Sequence, residues 1–232
     1  LYAIPAILIS MSFHELSHAY VSYLNGDPTA KNLGRISLNP FRHLDPLGTL
    51  MLFISIRSGF GFGWAKPVPI NPFYYKNKKR GTVLVSLAGP LSNFLLAFIF
   101  SFPMAYIPLK LGISEREIYD SSIPLFASGL TAAAIIFNLS RFFYLINIGL
   151  GVFNLLPIPP LDGSKILSAV LPQHLYFRLM EYERYIGLVF LAVMFFRPEI
   201  LSTVLGPLRR AVEFVIMNLG LPIVNAILST AL

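Results

Sequence analysis

The chain contains no cysteine. Disulfides and thiolate metal sites are therefore excluded, and any metal must be held by His, Asp or Glu. Charge is scarce as well. Charged residues occupy 12% of the 232 positions, against about 25% in a soluble domain. With 55% hydrophobic residues and a mean hydropathy of +0.67, the composition is that of an integral membrane protein whose surroundings are a lipid bilayer. Repeats and low-complexity segments are also missing, and the length suits one compact bundle without a separate sensor domain. A net charge of +7 invites a nucleic-acid reading, but the distribution of charge opposes it. Nine Lys and Arg residues fall between Gly26 and Arg80, against only Asp27 and Asp45. A basic loop between spans is the positive-inside signature, and no nucleic-acid partner is expected.

What is present begins with an apolar run from Leu1 to about Leu24, interrupted by Phe13-His14-Glu15-Leu16-Ser17-His18. The run lacks the charged start and cleavage site of a signal peptide. Asn25-Gly26-Asp27-Pro28 ends it with a strong helix stop. On a helix, positions i and i+4 share a face, so His14 and His18 can address one metal ion. Glu15 lies beside the first of them, where its carboxylate can take a proton from a metal-bound water. Ionisable groups at membrane depth are costly unless used or paired. At ~1.5 Å per residue, His18 lies roughly 10 Å inside the loop end of this helix.

Asn32 to Ile70 is neither a clean helix nor an ordinary loop. Gly34 to Pro40 alternates like a strand, and Leu47 to Ile56 is apolar but too short to span. This reads as a re-entrant or interfacial element with short strands, whose open edge could pair with an extended peptide. His43 and Asp45 suggest a turn held by the Asp side chain rather than a second metal site. Lys76 to Arg80 anchors a second span, Gly81 to about Leu109, which contains Gly89 and, four residues on, Asn93. Such an Asn either ties helices together or serves a site. Ser114 to Asp120 is a connection on the far side. Ile123 to Leu156 holds either one long helix or a short edge helix and a span from about Phe142.

Asn154-Leu155-Leu156-Pro157-Ile158-Pro159-Pro160-Leu161-Asp162-Gly163 breaks that helix, and Asp162 opens another through about Leu171. Asp162 makes a good N-cap, yet an isolated carboxylate in an apolar stretch needs a partner, and the two histidines lack a third ligand. Tyr185 to about Leu205 is a further span; Gly206 to Leu232 lies along the interface or dips in. If the first loop is cytoplasmic, the second span runs outward and the third returns, delivering Asp162 to the level of His14 and His18. The fold class is an all-α polytopic membrane protein, a bundle of about four to five transmembrane helices with a re-entrant or short β element after the first. It forms one domain over 1–232, with a core of about 1–171 and C-terminal helices over 172–232.

His14-Glu15-Leu16-Ser17-His18, Gly89-Pro90-Leu91-Ser92-Asn93 and Asn154 through Gly163, in this order, together resemble the site-2 protease family, the intramembrane zinc metalloproteases of peptidase family M50. The chain looks like a compact prokaryotic member without a PDZ or CBS domain. The resemblance implies one zinc ion held by His14, His18 and Asp162, with Glu15 as general base. It also implies that Asn154 and Asn93 contact the substrate or the developing oxyanion. The expected activity is endopeptidase cleavage in or near transmembrane segments of membrane-protein substrates. The expected place is the cell membrane of a prokaryote, with the site toward the cytoplasmic half. A metal-binding scaffold of the same fold that does not cut is the alternative, and a metal transporter would want polar residues spread across the whole membrane thickness.

Overall fold

The computed structural model describes residues 2–57, 63–112 and 131–230. Its described helices, numbered in chain order, are α1 (Ala3–Leu24), α2 (Thr29–Asn32), α3 (Pro46–Arg57), α4 (Lys78–Lys110), α5 (Ala132–Asn154), α6 (Asp162–Val170), α7 (Gln173–Glu181), α8 (Glu183–Phe196) and α9 (Pro198–Thr230). Two short 3-10 turns, Pro40–Arg42 and Pro72–Tyr74, punctuate the segment between α1 and α4. The expected Ser114 to Asp120 connection and the beginning of the Ile123 run lie outside the described residues.

α4 and α5 form the central pair, with α1 packed across both and α9 laid against their other side. Ala97 of α4, Tyr144, Ile148 and Val152 of α5 and Ile216 of α9 share one buried cluster. Phe100 stacks on Phe143 with ring centroids 4.0 Å apart. Gly151 makes the closest approach possible, since a Cβ there would sit 2.3 Å from the Phe94 ring. Deleting side-chain volume at such a contact lets two helices meet where lipid supplies no hydrophobic drive between them.

α4, α5 and Glu199–Thr230 of α9 are long and apolar enough to cross a membrane. α1, at 22 residues, reaches about 33 Å, so its length also suffices. Its inner face, however, buries Ser10, Ser12, His14, His18 and Ser22, which lowers its hydropathy. Ile4, Ile9, Tyr20, Tyr23 and Leu24 of α1 are exposed, while its polar surface turns to the site.

Two expectations are corrected. The stretch from Tyr185 to Leu205 is not one span, because the chain breaks at Arg197, whose φ is −140° and ψ is 57°. Pro198 lacks an N–H and drives the residue before it out of the helical region. From Pro198 the chain is one 33-residue helix, so Gly206 onward continues a helix that begins before it and is long and apolar enough to cross a membrane. Between α1 and α4, β structure among the described residues is a single antiparallel bridge, Leu44 to Ala65. The alternation after Gly34 does pack a half-buried Ile36 against Ala19, Ala30 and Val68, but no neighbouring strand among the described residues meets it. Leu47 to Ile56 belongs to α3, entered through a turn in which Asp45 Oδ1 accepts from Gly48 N at 2.8 Å.

One carboxylate ties this connecting segment to the end of α1. Asp27 is fully buried and accepts from Ser22 Oγ at 2.9 Å, Thr29 N at 2.9 Å and Asn71 N at 2.8 Å. Burial pushes its carboxyl up, but the donors, Asn71 N–H foremost, outweigh burial and hold it below the ordinary value. A depressed folded value adds stability above the unfolded value, about 3.9, and loses it as pH falls toward the folded one. In detergent, Asp27→Ala is expected to lower unfolding stability by about 1–3 kcal/mol and to remove the component of the melting temperature that declines below about pH 4. An unchanged melting temperature at neutral pH would contradict this anchoring role.

Candidate metal centre

His14 and His18 project from one face of α1, and Asp162 meets them from the first turn of α6. Their nearest atoms form a tight triangle. Asp162 Oδ2 lies 3.1 Å from His14 Nε2 and 3.0 Å from His18 Nε2, and the two Nε2 atoms are 3.0 Å apart. All three side chains are buried. Among the described residues this is the group of His, Asp or Glu side chains able to hold a metal ion. The proline-rich turn brings Asp162 home from α5. Gly163 lets α6 close onto α5, since a Cβ there would stand 2.3 Å from the carbonyls of Leu155 and Leu156.

The outer nitrogens decide what the triangle can hold. His18 Nδ1 faces the Val85 carbonyl at 2.6 Å, which can only accept, so this nitrogen carries the proton. Asn147 Nδ2 donates to Phe143 O at 2.8 Å, another acceptor, which orients that amide and leaves its Oδ1 to accept from Asn93 Nδ2 at 2.8 Å. Asn93 Oδ1 then receives the His14 Nδ1–H at 2.6 Å. With both imidazoles protonated at Nδ1, each Nε2 presents a lone pair to the other and to a carboxylate oxygen. Three lone pairs in mutual contact repel unless a cation sits among them. Ligand atoms around a tetrahedral zinc at about 2.0–2.1 Å stand roughly 3.3 Å apart, close to the spacing found. The donor set therefore fits zinc, and imidazoles whose other nitrogen donates to a carbonyl are its usual partners.

Gly89 supplies the floor. A Cβ at this position would fall 2.4 Å from His18 Nε2 and 2.6 Å from His14 Nε2, so a side chain there would occupy the metal position.

Glu15 sits beside the triangle, with its Oε2 accepting from Val68 N at 2.9 Å. Val68 stands between Pro67 and Pro69, which have no N–H, so its amide is the one donor across those three residues. The strap carrying it is itself pinned. Lys66 N donates to His43 O at 2.8 Å, and Arg35 Nη2 donates to Lys66 O at 2.6 Å. Lys165, one turn past Asp162, brings its Nζ to 3.6 Å from Asp162 Oδ1. A cavity of about 900 Å³ opens over the triangle, bounded by α1, the strap, the start of α6 and the face of α8 carrying Gly187 and Leu191.

The residues singled out in the sequence thus divide. His14, His18, Asp162 and Glu15 converge. Asn154 lines the cavity, with one amide hydrogen donated to Leu150 O at 3.0 Å and a second left over. Asn93 is fully buried behind His14, and its amide is spent on Asn147 Oδ1 and Ser10 O. Asn147, Ser10 and Val68 were not singled out. An Asn in the middle of an apolar helix was a signal for Asn147; a backbone donor such as Val68 leaves none.

Comparison with known proteins agrees with this geometry. Residues 2–195 match peptidase family M50. The chain is 38% identical over 210 residues to "Putative zinc metalloprotease YwhC" of Bacillus subtilis (strain 168), covering 90% of this chain and 86% of that one. It is 30% identical over 196 residues to "Putative zinc metalloprotease Rip2" of Mycobacterium tuberculosis (strain ATCC 25618 / H37Rv), covering 83% and 66%. With "Putative zinc metalloprotease MJ0611" of Methanocaldococcus jannaschii it shares 30% identity over 158 residues, covering 67% and 63%. No solved structure matches the chain. The chain belongs to peptidase family M50, and its apolar helices make it a membrane protein.

Two substitutions test the geometry of the centre. Gly89→Ala is expected to abolish stoichiometric zinc binding, measured by elemental analysis of the purified protein. Asn93→Ala is expected to weaken zinc about 10–100-fold in chelator competition, with Asn147→Ala moving the same way by less. Wild-type affinity in Asn93→Ala would contradict the orienting role.

Proposed function

We propose that this M50 zinc metalloprotease is an endopeptidase that hydrolyses peptide bonds in or near transmembrane segments of membrane-protein substrates. The observation that carries the reading is the triangle of His14, His18 and Asp162 with Glu15 beside it, buried among apolar helices. His14, His18 and Asp162 would hold one zinc ion per chain within a single domain spanning 1–232. When bound, zinc supplies a Lewis acid and lowers the pKa of an attacking water.

Glu15 takes the proton from that water and returns it to the leaving amine nitrogen. Val68 N–H occupies a lone pair on Oε2 and holds the carboxylate in place, leaving Oε1 as the basic atom. Asn154 lines the cavity, and its second amide hydrogen is the candidate donor to the developing oxyanion. Asn93 supports His14 and does not touch the substrate. Helical backbone carbonyls are already hydrogen-bonded, so a substrate segment must unwind before it can be cut, and helix-breaking residues near the bond favour cleavage. The nine basic residues between Gly26 and Arg80 favour a cytoplasmic position for the connecting segment between α1 and α4. The chain then crosses the membrane several times, with the site in the cytoplasmic half of a prokaryotic cell membrane.

The decisive comparison is Glu15→Gln in reconstituted vesicles with single-span substrates. The variant is expected to retain about one zinc per chain and to lose cleavage by about 10²–10⁴-fold. Cleavage at the wild-type rate would overturn the assignment of the base. Absence of cleavage by the zinc-loaded wild type across such substrates would favour a scaffold that binds without cutting.

A further inference from the structure

The segment between α1 and α4 contains the same three residues twice. Asn39-Pro40-Phe41 and Asn71-Pro72-Phe73 fold alike, each into a 3-10 turn begun by the Asn. In both, the Asn Oδ1 accepts from the Phe N at 3.1 Å, and the proline fixes the turn it follows. Both turns leave the phenylalanine outside. Phe41 is 84% exposed and Phe73 81% exposed. A rigid turn built to display an aromatic ring, made twice in one connecting segment, is costly in water unless the ring enters something apolar.

The charges around the rings say what that is. Lys78 Nζ stands 4.6 Å above the centre of the Phe73 ring, Arg42 follows Phe41 directly, and Lys31 sits 4.4 Å above Tyr23. The segment's two carboxylates, Asp27 and Asp45, are each engaged locally. Asp27 is enclosed by Ser22, Thr29 and Asn71, and Asp45 is taken up capping Gly48. The exterior is therefore basic and aromatic together. We infer that the two Asn-Pro-Phe turns are wedges that seat this segment on an anionic lipid surface, with Phe41 and Phe73 below the headgroups and the neighbouring cations among the phosphates. The second turn leads directly into α4 and hangs from Asp27 through Asn71 N, so the wedge and the strap that holds Glu15 share one anchor.

The cysteine-free chain permits a direct test that does not depend on proteolytic activity. Phe41→Cys and Phe73→Cys are each labelled with a nitroxide in the full chain. The proteins are placed in nanodiscs of phosphatidylcholine alone or mixed with phosphatidylglycerol. Collision with oxygen, which concentrates in lipid, is compared with collision with a water-soluble nickel chelate. Both labels are expected to favour oxygen in the mixed discs and to shift toward the nickel chelate in phosphatidylcholine alone. Nickel-dominated collision at either position in the mixed discs, as a docked soluble protein or bare solvent would give, overturns the wedge. Equal immersion in the two lipids overturns the requirement for anionic headgroups.

Discussion

Three lone-pair atoms from distant parts of the sequence meet within 3.1 Å inside an apolar bundle. Leaving such groups buried without a cation among them costs several kcal/mol per charge. Much else in the structure follows from making that meeting possible. α4 must have no side chain at Gly89, or the imidazoles have nowhere to stand. α5 must end and reverse, so that Asp162 returns to the level it left. α1 must turn serines and histidines inward. It therefore pays for the site with its own hydropathy, and ranks below α4, α5 and α9 as an apolar helix.

Behind the triangle, polarity continues in an ordered line. Phe143 O, Asn147, Asn93 and His14 form a chain in which each hydrogen bond fixes the direction of the next. A carbonyl at one end therefore determines which nitrogen of His14 faces the metal. In a bundle where helix association gains little from hydrophobicity, the same bonds hold α1, α4 and α5 in register. The proposed metal site and the packing of the bundle thus share Asn93. On the other side, Glu15, the proposed base, is held by backbone: Val68 N–H reaches it from a strap locked by two prolines, Arg35 and Asp27. The connecting segment is accordingly part of the site.

The cluster of His14, His18 and Asp162 with Glu15 beside it was legible because its chemistry is local. H-E-x-x-H on a helix carries its own geometry, and Asp162 was conspicuous as a carboxylate in an apolar stretch. Other features depend on partners distant in sequence. Asn93 could be an oxyanion donor or a support for His14, and only the position of Asn147 on another helix distinguishes these. The strand-like alternation after Gly34 reflected the packing of a half-buried Ile36, which a bend accomplishes as well as a strand. The break at Arg197 was readable in Pro198, yet the apolar residues on both sides masked it.

The most direct measurement is zinc K-edge X-ray absorption on the loaded wild type beside Asp162→Ala. The wild type should show light-atom ligands at about 2.0–2.1 Å, with outer-shell scattering from two imidazoles and no sulfur. Asp162→Ala should lose zinc or change its coordination while the imidazole signal of any retained metal persists. A wild-type spectrum without two imidazoles, or an Asp162→Ala spectrum identical to wild type, would contradict the three-ligand centre on which the account rests.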